Sequence, residues 1–188
     1  EADPPAPINV YGRSKLAGES HIVDLLDSFK IVRTSWLCGV HGPNFIDSII
    51  LAVEGGKKTI SVVNDQMGKP TFTFDLADVL VKLLGRPEKG IFHATNSGYC
   101  SWYEFAQRIV KLSKAKNVKV RPITSEQFRS LAKRPKYSLL ENARLQDMRF
   151  RPLPRWEDSL KEYMQRRAEW LAKEEDKPDA LKKAGKGG

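Results

Sequence analysis

Pro7-Ile8-Asn9-Val10-Tyr11-Gly12-Arg13-Ser14-Lys15-Leu16-Ala17-Gly18-Glu19 carries the chain's most informative pattern. It sets a tyrosine and a lysine four residues apart where a proline-rich lead gives way to a helical pattern. Pro4, Pro5 and Pro7 favour extended backbone before it. From Tyr11 onward, apolar and polar positions follow helical spacing through Leu16, Ala17, Ser20, Val23 and Leu25. Positions i and i+4 share a helix face one turn apart, so Tyr11 and Lys15 are expected side by side. A free phenol titrates near pH 10 and is a poor acid–base group at neutral pH. A fixed ammonium and the positive end of a helix dipole both favour the phenolate. A tyrosine in such a setting can hand a proton to a carbonyl oxygen as hydride arrives at the carbon. The bare spacing is a weak signal, because a surface lysine near a half-buried tyrosine gives the same pattern.

Downstream, Lys30-Ile31-Val32-Arg33-Thr34-Ser35-Trp36-Leu37 reads as a buried strand. Residues 44–52 read as a helix stopped by Gly55-Gly56. The β-branched run 59–63 is a strand, 64–70 a loop, 75–84 an amphipathic helix ended by Gly85 and Pro87, and 90–95 a strand. Ser101-Trp102-Tyr103-Glu104 has the pattern of a capping box and opens a helix to residue 113. A strand over 118–123, a short helix over 125–131, a loop over 134–138 and a long helix over 156–171 complete the pass. Strands alternating with helices predict an α/β domain with crossovers onto a parallel sheet, occupying residues 1–172. Residues 173–188 offer no apolar face and are expected to form a disordered basic tail.

The apolar fraction of 40% is enough for a packed core. The formal charge of +9 suggests an anionic partner, with nucleic acid and a nucleotide sugar as the candidates. Part of that charge is ordinary solvated surface, since Lys182, Lys183 and Lys186 fall in the tail. The basic residues are scattered rather than striped, which argues against nucleic acid. Cys38 and Cys100 have no partners at ligand spacing, so neither a metal site nor a disulfide framework is expected. No apolar run approaches the ~20 residues of a membrane span. No signal peptide is present, so the expectation is a cytoplasmic protein with no membrane partner.

The opening stretch strongly resembles the active-site segment of extended short-chain dehydrogenases/reductases. Arg33-Thr34-Ser35-Trp36-Leu37 with Gly39 and Asn44-Phe45 resembles the next block of the dTDP-4-dehydrorhamnose reductase family. Val63-Asn64-Asp65-Gln66-Met67-Gly68-Lys69-Pro70-Thr71 with Asp75-Leu76-Ala77 resembles a third. Gly90-Ile91-Phe92-His93-Ala94-Thr95-Asn96 with Ser101-Trp102-Tyr103-Glu104-Phe105-Ala106 is similar to a fourth. Arg121-Pro122-Ile123, Lys133-Arg134-Pro135 and Tyr137-Ser138-Leu139-Leu140 complete the series. Cys38 departs from the family, which usually has an aromatic residue there.

The resemblance implies the C-terminal part of a Rossmann-like NAD(P)-binding fold with its small substrate-binding subdomain. It implies reduction of the 4-keto group of a dTDP-4-dehydro-6-deoxy sugar with NADPH or NADH. Tyr11 would be the proton donor, and Lys15 would hold the nicotinamide ribose and favour the phenolate. Arg33, Thr34 and Ser35 would pass beside the nicotinamide. Trp36 would contact the sugar and Asn44 the nucleotide-sugar phosphates, while Gln66, Gly68, Pro70 and Thr71 would shape the pocket and Arg134 would meet a phosphate. On the residues alone, Trp36 also reads as a core aromatic, Asn44 as a helix cap, the 66–71 stretch as a plain turn and Arg134 as a surface charge. The family often carries magnesium on acidic residues at a dimer contact, but none of these is matched here, and a homodimer stays open. A non-catalytic regulator on the same scaffold, like the beta subunit of methionine adenosyltransferase, is the rival. No G-x-x-G-x-x-G phosphate-binding turn occurs in the chain. The expectation is a fragment whose cofactor-binding half lies before Glu1 and which is inactive alone.

Overall fold

The computed structural model describes residues 1–128, 130 and 132–175. Helix α1, Val10–Leu25, starts where the lead ends. Asn9 is extended, and its side chain accepts from the Gly12 N–H at 2.8 Å, satisfying one free donor of the first turn. No residue of α1 is buried.

Strand β1, Lys30–Arg33, runs parallel to β6, Gly90–His93, with Lys30 opposite Gly90 and Arg33 opposite His93. The single strand expected over 30–37 is broken. Trp36 takes a left-handed backbone with φ of 45°, and β2, Leu37–Cys38, pairs instead with β5, Thr71–Phe72. A bulky residue in that region is an outlier that only strong surrounding contacts sustain.

Helix α2, Phe45–Glu54, is capped by Asn44 and closed by Gly55. Strand β3, Thr59–Val63, is parallel to β8, Lys119–Ile123. The stretches expected as loops at 64–70 and 134–138 each hold a two-residue strand. These are β4, Met67–Gly68, and β9, Tyr137–Ser138, which pair in parallel, while β4 also pairs antiparallel with β7, Cys100–Ser101. Among the described residues the ladders are small and separate, not one continuous sheet.

Helix α3, Thr73–Leu84, follows β5 directly. Helix α4, Trp102–Leu112, carries both hydrogen bonds of the expected capping box between Ser101 and Glu104. Two short helices follow, α5 at Ser125–Phe128 and an unexpected α6 at Ala143–Asp147. Helix α7, Trp156–Glu175, runs four residues past its expected end, so 173–175 are helical rather than tail. Residues 176–188 of the expected tail lie outside the described residues. Among the described residues no helix is long and apolar enough to cross a membrane.

Two hydrophobic clusters hold these elements. The larger joins α2, α4 and α7 through Ile46, Ile49, Phe105, Ile109, Leu160 and Tyr163, each at most 4% exposed. Each such side chain contributes about 1.5–3 kcal/mol relative to its exposed state. The smaller sets Leu76, Val79 and Leu83 of α3 against Phe92, Leu145 and Leu153. A buried polar knot lies between them. Asn96 accepts from the Phe72 N–H at 3.1 Å and donates to Asp75 at 2.7 Å, and Ser159 donates to the same carboxylate at 2.6 Å. Buried polar groups matched in this way cost little and fix one arrangement of β5, α3 and α7.

Candidate functional site

A cleft of about 350 Å³ opens where the start of α1, the Trp36 bend and the chain before β9 meet. Asn9, Tyr11, Trp36, Gln66, Trp102, Ala132, Arg134, Pro135 and Ser138 line it. Asn9 has two tasks here. It caps α1, and its amide also donates to the Lys133 carbonyl at 2.8 Å, holding the 132–135 segment against the helix start.

Tyr11 stands at the mouth, 71% exposed, with the Lys15 Nζ over its ring at 5.5 Å from the centroid. That distance is within cation–π reach and puts the ammonium beside the phenol, as one helical turn dictates. Gln66 is buried in the cleft wall, and Arg134 reaches the same space from an exposed segment.

The aromatic wall is built from two tryptophans. The Trp36 and Trp102 rings stack with centroids 3.5 Å apart and planes 9° from parallel. On Gly68, a Cβ would lie 2.0 Å from Trp36 Cε2, so no side chain fits there. Such a stack contributes about 0.5–1.5 kcal/mol beyond burial, which offsets part of the about 1–3 kcal/mol strain of the Trp36 backbone.

The other expected site residues have different placements. Arg33 forks onto Glu19 of α1 at 2.9 and 3.1 Å, and that carboxylate raises the guanidinium above its usual value. Ser35 donates to the Ser138 carbonyl at 2.8 Å and so pins β9 beside the cleft. Thr34 Oγ1, just past the carboxyl end of β1, is buried without a partner among the described residues.

Asn44, a phosphate contact by resemblance and a helix cap by position, has its amide bonded within the protein. Its oxygen accepts from the Ile46 and Asp47 N–H groups, and its nitrogen donates to Gly39 and to the Tyr163 hydroxyl. It does not line the cleft. Pro70 and Thr71 are fully buried, and the Thr71 hydroxyl donates back to the Lys69 carbonyl at 3.2 Å. They carry the chain from the cleft into β5. Cys38 is packed in the larger cluster, where burial and then nearby Asp47 push its thiol up to about 12. Such a thiol is not a nucleophile at neutral pH. Among the described residues no group of acidic, histidine or cysteine side chains is placed to hold a metal, so the magnesium expectation finds no ligands.

The sequence does not mark Asn9, Trp102, Ala132, Pro135 or Ser138 as cleft residues. Asn9 carried a signal, an Asn immediately before a helical pattern. Trp102 stood inside the capping box, where its helix was legible but the direction of its ring was not.

The family model of the RmlD substrate binding domain matches residues 1–169. The chain is 39% identical over 168 residues to the spore coat polysaccharide biosynthesis protein SpsK of Bacillus subtilis, covering 89% of this chain and 58% of that one. It is 40% identical over 156 residues to the dTDP-4-keto-6-deoxy-D-glucose reductase of Streptomyces niveus, covering 82% and 54%. Among solved structures, the dTDP-4-dehydrorhamnose reductase of Bacillus anthracis in complex with NADP superposes with a TM-score of 0.84 at 41% identity, covering 87% and 58%. The NAD complex of dTDP-glucose 4,6-dehydratase from the same species, at 14% identity and a TM-score of 0.71, shares the fold alone. The chain thus spans little more than half the length of these relatives. A match running from the first residue to 169 and close superposition on a reductase agree with the ordered motif blocks, and the chain belongs to the RmlD substrate binding domain family.

Proposed function

We propose that this chain supplies the sugar-nucleotide cleft and the proton-donating tyrosine of a dTDP-4-dehydrorhamnose reductase. The observation that carries this reading is Tyr11, with the Lys15 ammonium over its ring, at the mouth of a cleft walled by Trp36, Gln66 and Arg134. In the proposed reaction the 4-keto carbon of dTDP-4-dehydrorhamnose gains hydride and its oxygen gains the Tyr11 proton, giving the alcohol of dTDP-L-rhamnose. Solvent then returns a proton to the Tyr11 oxygen, beneath the Lys15 ammonium that lies over its ring. Arg134 has the charge to pair with the diphosphate. The Gln66 amide can both donate to and accept from sugar hydroxyls.

The nicotinamide cofactor, when bound, supplies the hydride. The residues present fit it in one respect, the orphaned Thr34 hydroxyl. It sits just past the carboxyl end of a strand in a parallel pair, where α/β sheets bind their ligands. Lys15, exposed on α1, is the second group suited to hold it. The NADP in the Bacillus anthracis relative favours NADPH over NADH.

The test is a chimera in which this chain follows the cofactor-binding half of that relative. With dTDP-4-dehydrorhamnose and NADPH, Tyr11→Phe should lower kcat by about 10²–10⁴-fold while NADPH binding holds. Unchanged turnover in Tyr11→Phe removes Tyr11 as proton donor. A chimera that binds the nucleotide sugar but never turns over supports the regulator reading instead.

A further inference from the structure

Trp36 combines three features that belong together. Its backbone is left-handed, its ring stacks on Trp102, and a Cβ on Gly68 would fall 2.0–2.5 Å from the ring atoms Cε2, Cδ2 and Cζ2. The stack covers one face of the indole at 3.5 Å. The three atoms nearest a Cβ on Gly68 all belong to Trp36 and none to the stacked Trp102, so Gly68 approaches the indole from the face away from the stack. With both faces covered, Trp36 can offer the cleft only an edge. Trp102 lines the same cleft, and Phe45 tilts against it from behind with ring centroids 4.5 Å apart.

We infer that Trp102 and Gly68 are positioning residues that clamp Trp36 edge-on to the cleft and so set its recognition of the sugar. The inference rests on the proposed function for the identity of the sugar. A stacked sugar would need a free indole face, and this clamp denies it. An edge-on indole presents its rim to the ligand, with one N–H donor and no acceptor. The clamp also explains how a tryptophan stays in a left-handed backbone: releasing either face frees the chain to relax toward the extended form.

The test uses the 188-residue chain with two ligands, dTDP and dTDP-L-rhamnose, each titrated by tryptophan fluorescence or calorimetry. The ratio of their two Kd values is the contribution of the sugar. Stacked indoles also give a coupled band in circular dichroism, which reports the clamp without any ligand. Trp102→Leu should lose that band and cut the sugar contribution roughly tenfold, with dTDP binding within about twofold of wild type. Gly68→Ala should do the same with Trp102 still in place, because the added methyl must drive Trp36 from its seat. Trp102→Phe keeps a stacking ring and should keep most of the sugar contribution, which separates clamping from loss of core packing. A Trp102→Leu chain that folds and keeps the full sugar contribution overturns the clamp. A wild type that binds dTDP-L-rhamnose no better than dTDP instead overturns the sugar-binding reading on which the clamp depends.

Discussion

Helix α1 and the α2–α4–α7 lobe are held by different physics. The lobe is dry: Phe105, Ile109, Leu160 and Tyr163 are fully buried. α1 buries nothing, and Ile22, Val23, Leu25 and Leu26 at and beyond its end are exposed. Among the described residues two polar tethers hold it, the Arg33–Glu19 fork and the Asn9–Lys133 bond. The residue proposed to do the chemistry rides on the loosely held helix, and the residues proposed to read the sugar are backed by the core. Within this chain the contacts that hold Tyr11 and those that back Trp36 are therefore separate, and each can be disturbed alone.

The largest effect should come from the lobe. Phe105→Ala should lower stability by about 3–5 kcal/mol in urea unfolding, whereas Leu25→Ala on α1 should stay within about 0.5 kcal/mol. Equal losses would end the contrast. Next comes the tether at mid-helix. The Glu19 and Arg33 side chains are 19% and 21% exposed, and Glu19→Ala should cost about 1.5–3 kcal/mol by stranding the guanidinium. Arg33→Met added to it should recover part of that loss in a double-mutant cycle, and simple additivity would deny the coupling. Asn9 gives a finer division. Asn9→Asp keeps the cap but loses donation to Lys133, so stability should hold while amide exchange quickens over 132–134. Asn9→Ala should lose about 1 kcal/mol as well.

The smallest effect is a pH dependence. Burial pulls the His93 imidazole below its ordinary value of 6.5. Its Nδ1 lies 3.0 Å from the Glu141 carbonyl, and Nε2 is buried without a partner among the described residues. The unfolded chain takes up the proton before the folded one does, so stability should fall as pH drops through 6.5 toward the lowered value. His93→Gln should flatten the urea midpoint between pH 7.5 and 5.5. An unchanged slope would assign the acid sensitivity to other groups.

Most elements were legible because they are long enough to carry a period or a cap. The Ser101–Glu104 box, the Asn44 helix and the β-branched run at 59–63 are local signals that the structure contains. The cleft was legible only in part. Two-residue strands such as β4 and β9 have no period to detect, so the pairing that brings Gly68 to Ser138 was invisible. The break at Trp36 was hidden too, because a tryptophan in a β-rich run gives no sign of a left-handed backbone that is imposed by contacts far along the chain. Asn44 shows the reverse case: the cap reading came from its local position, and the phosphate reading came from likeness alone.

The most direct measurement is hydrogen–deuterium exchange of this chain with and without dTDP-L-rhamnose. Protection is expected over residues 9–12, 34–36, 66–68 and 134–138 together, the segments that meet in the cleft. Saturating ligand that leaves these four segments unchanged, or protects a different surface, would contradict it.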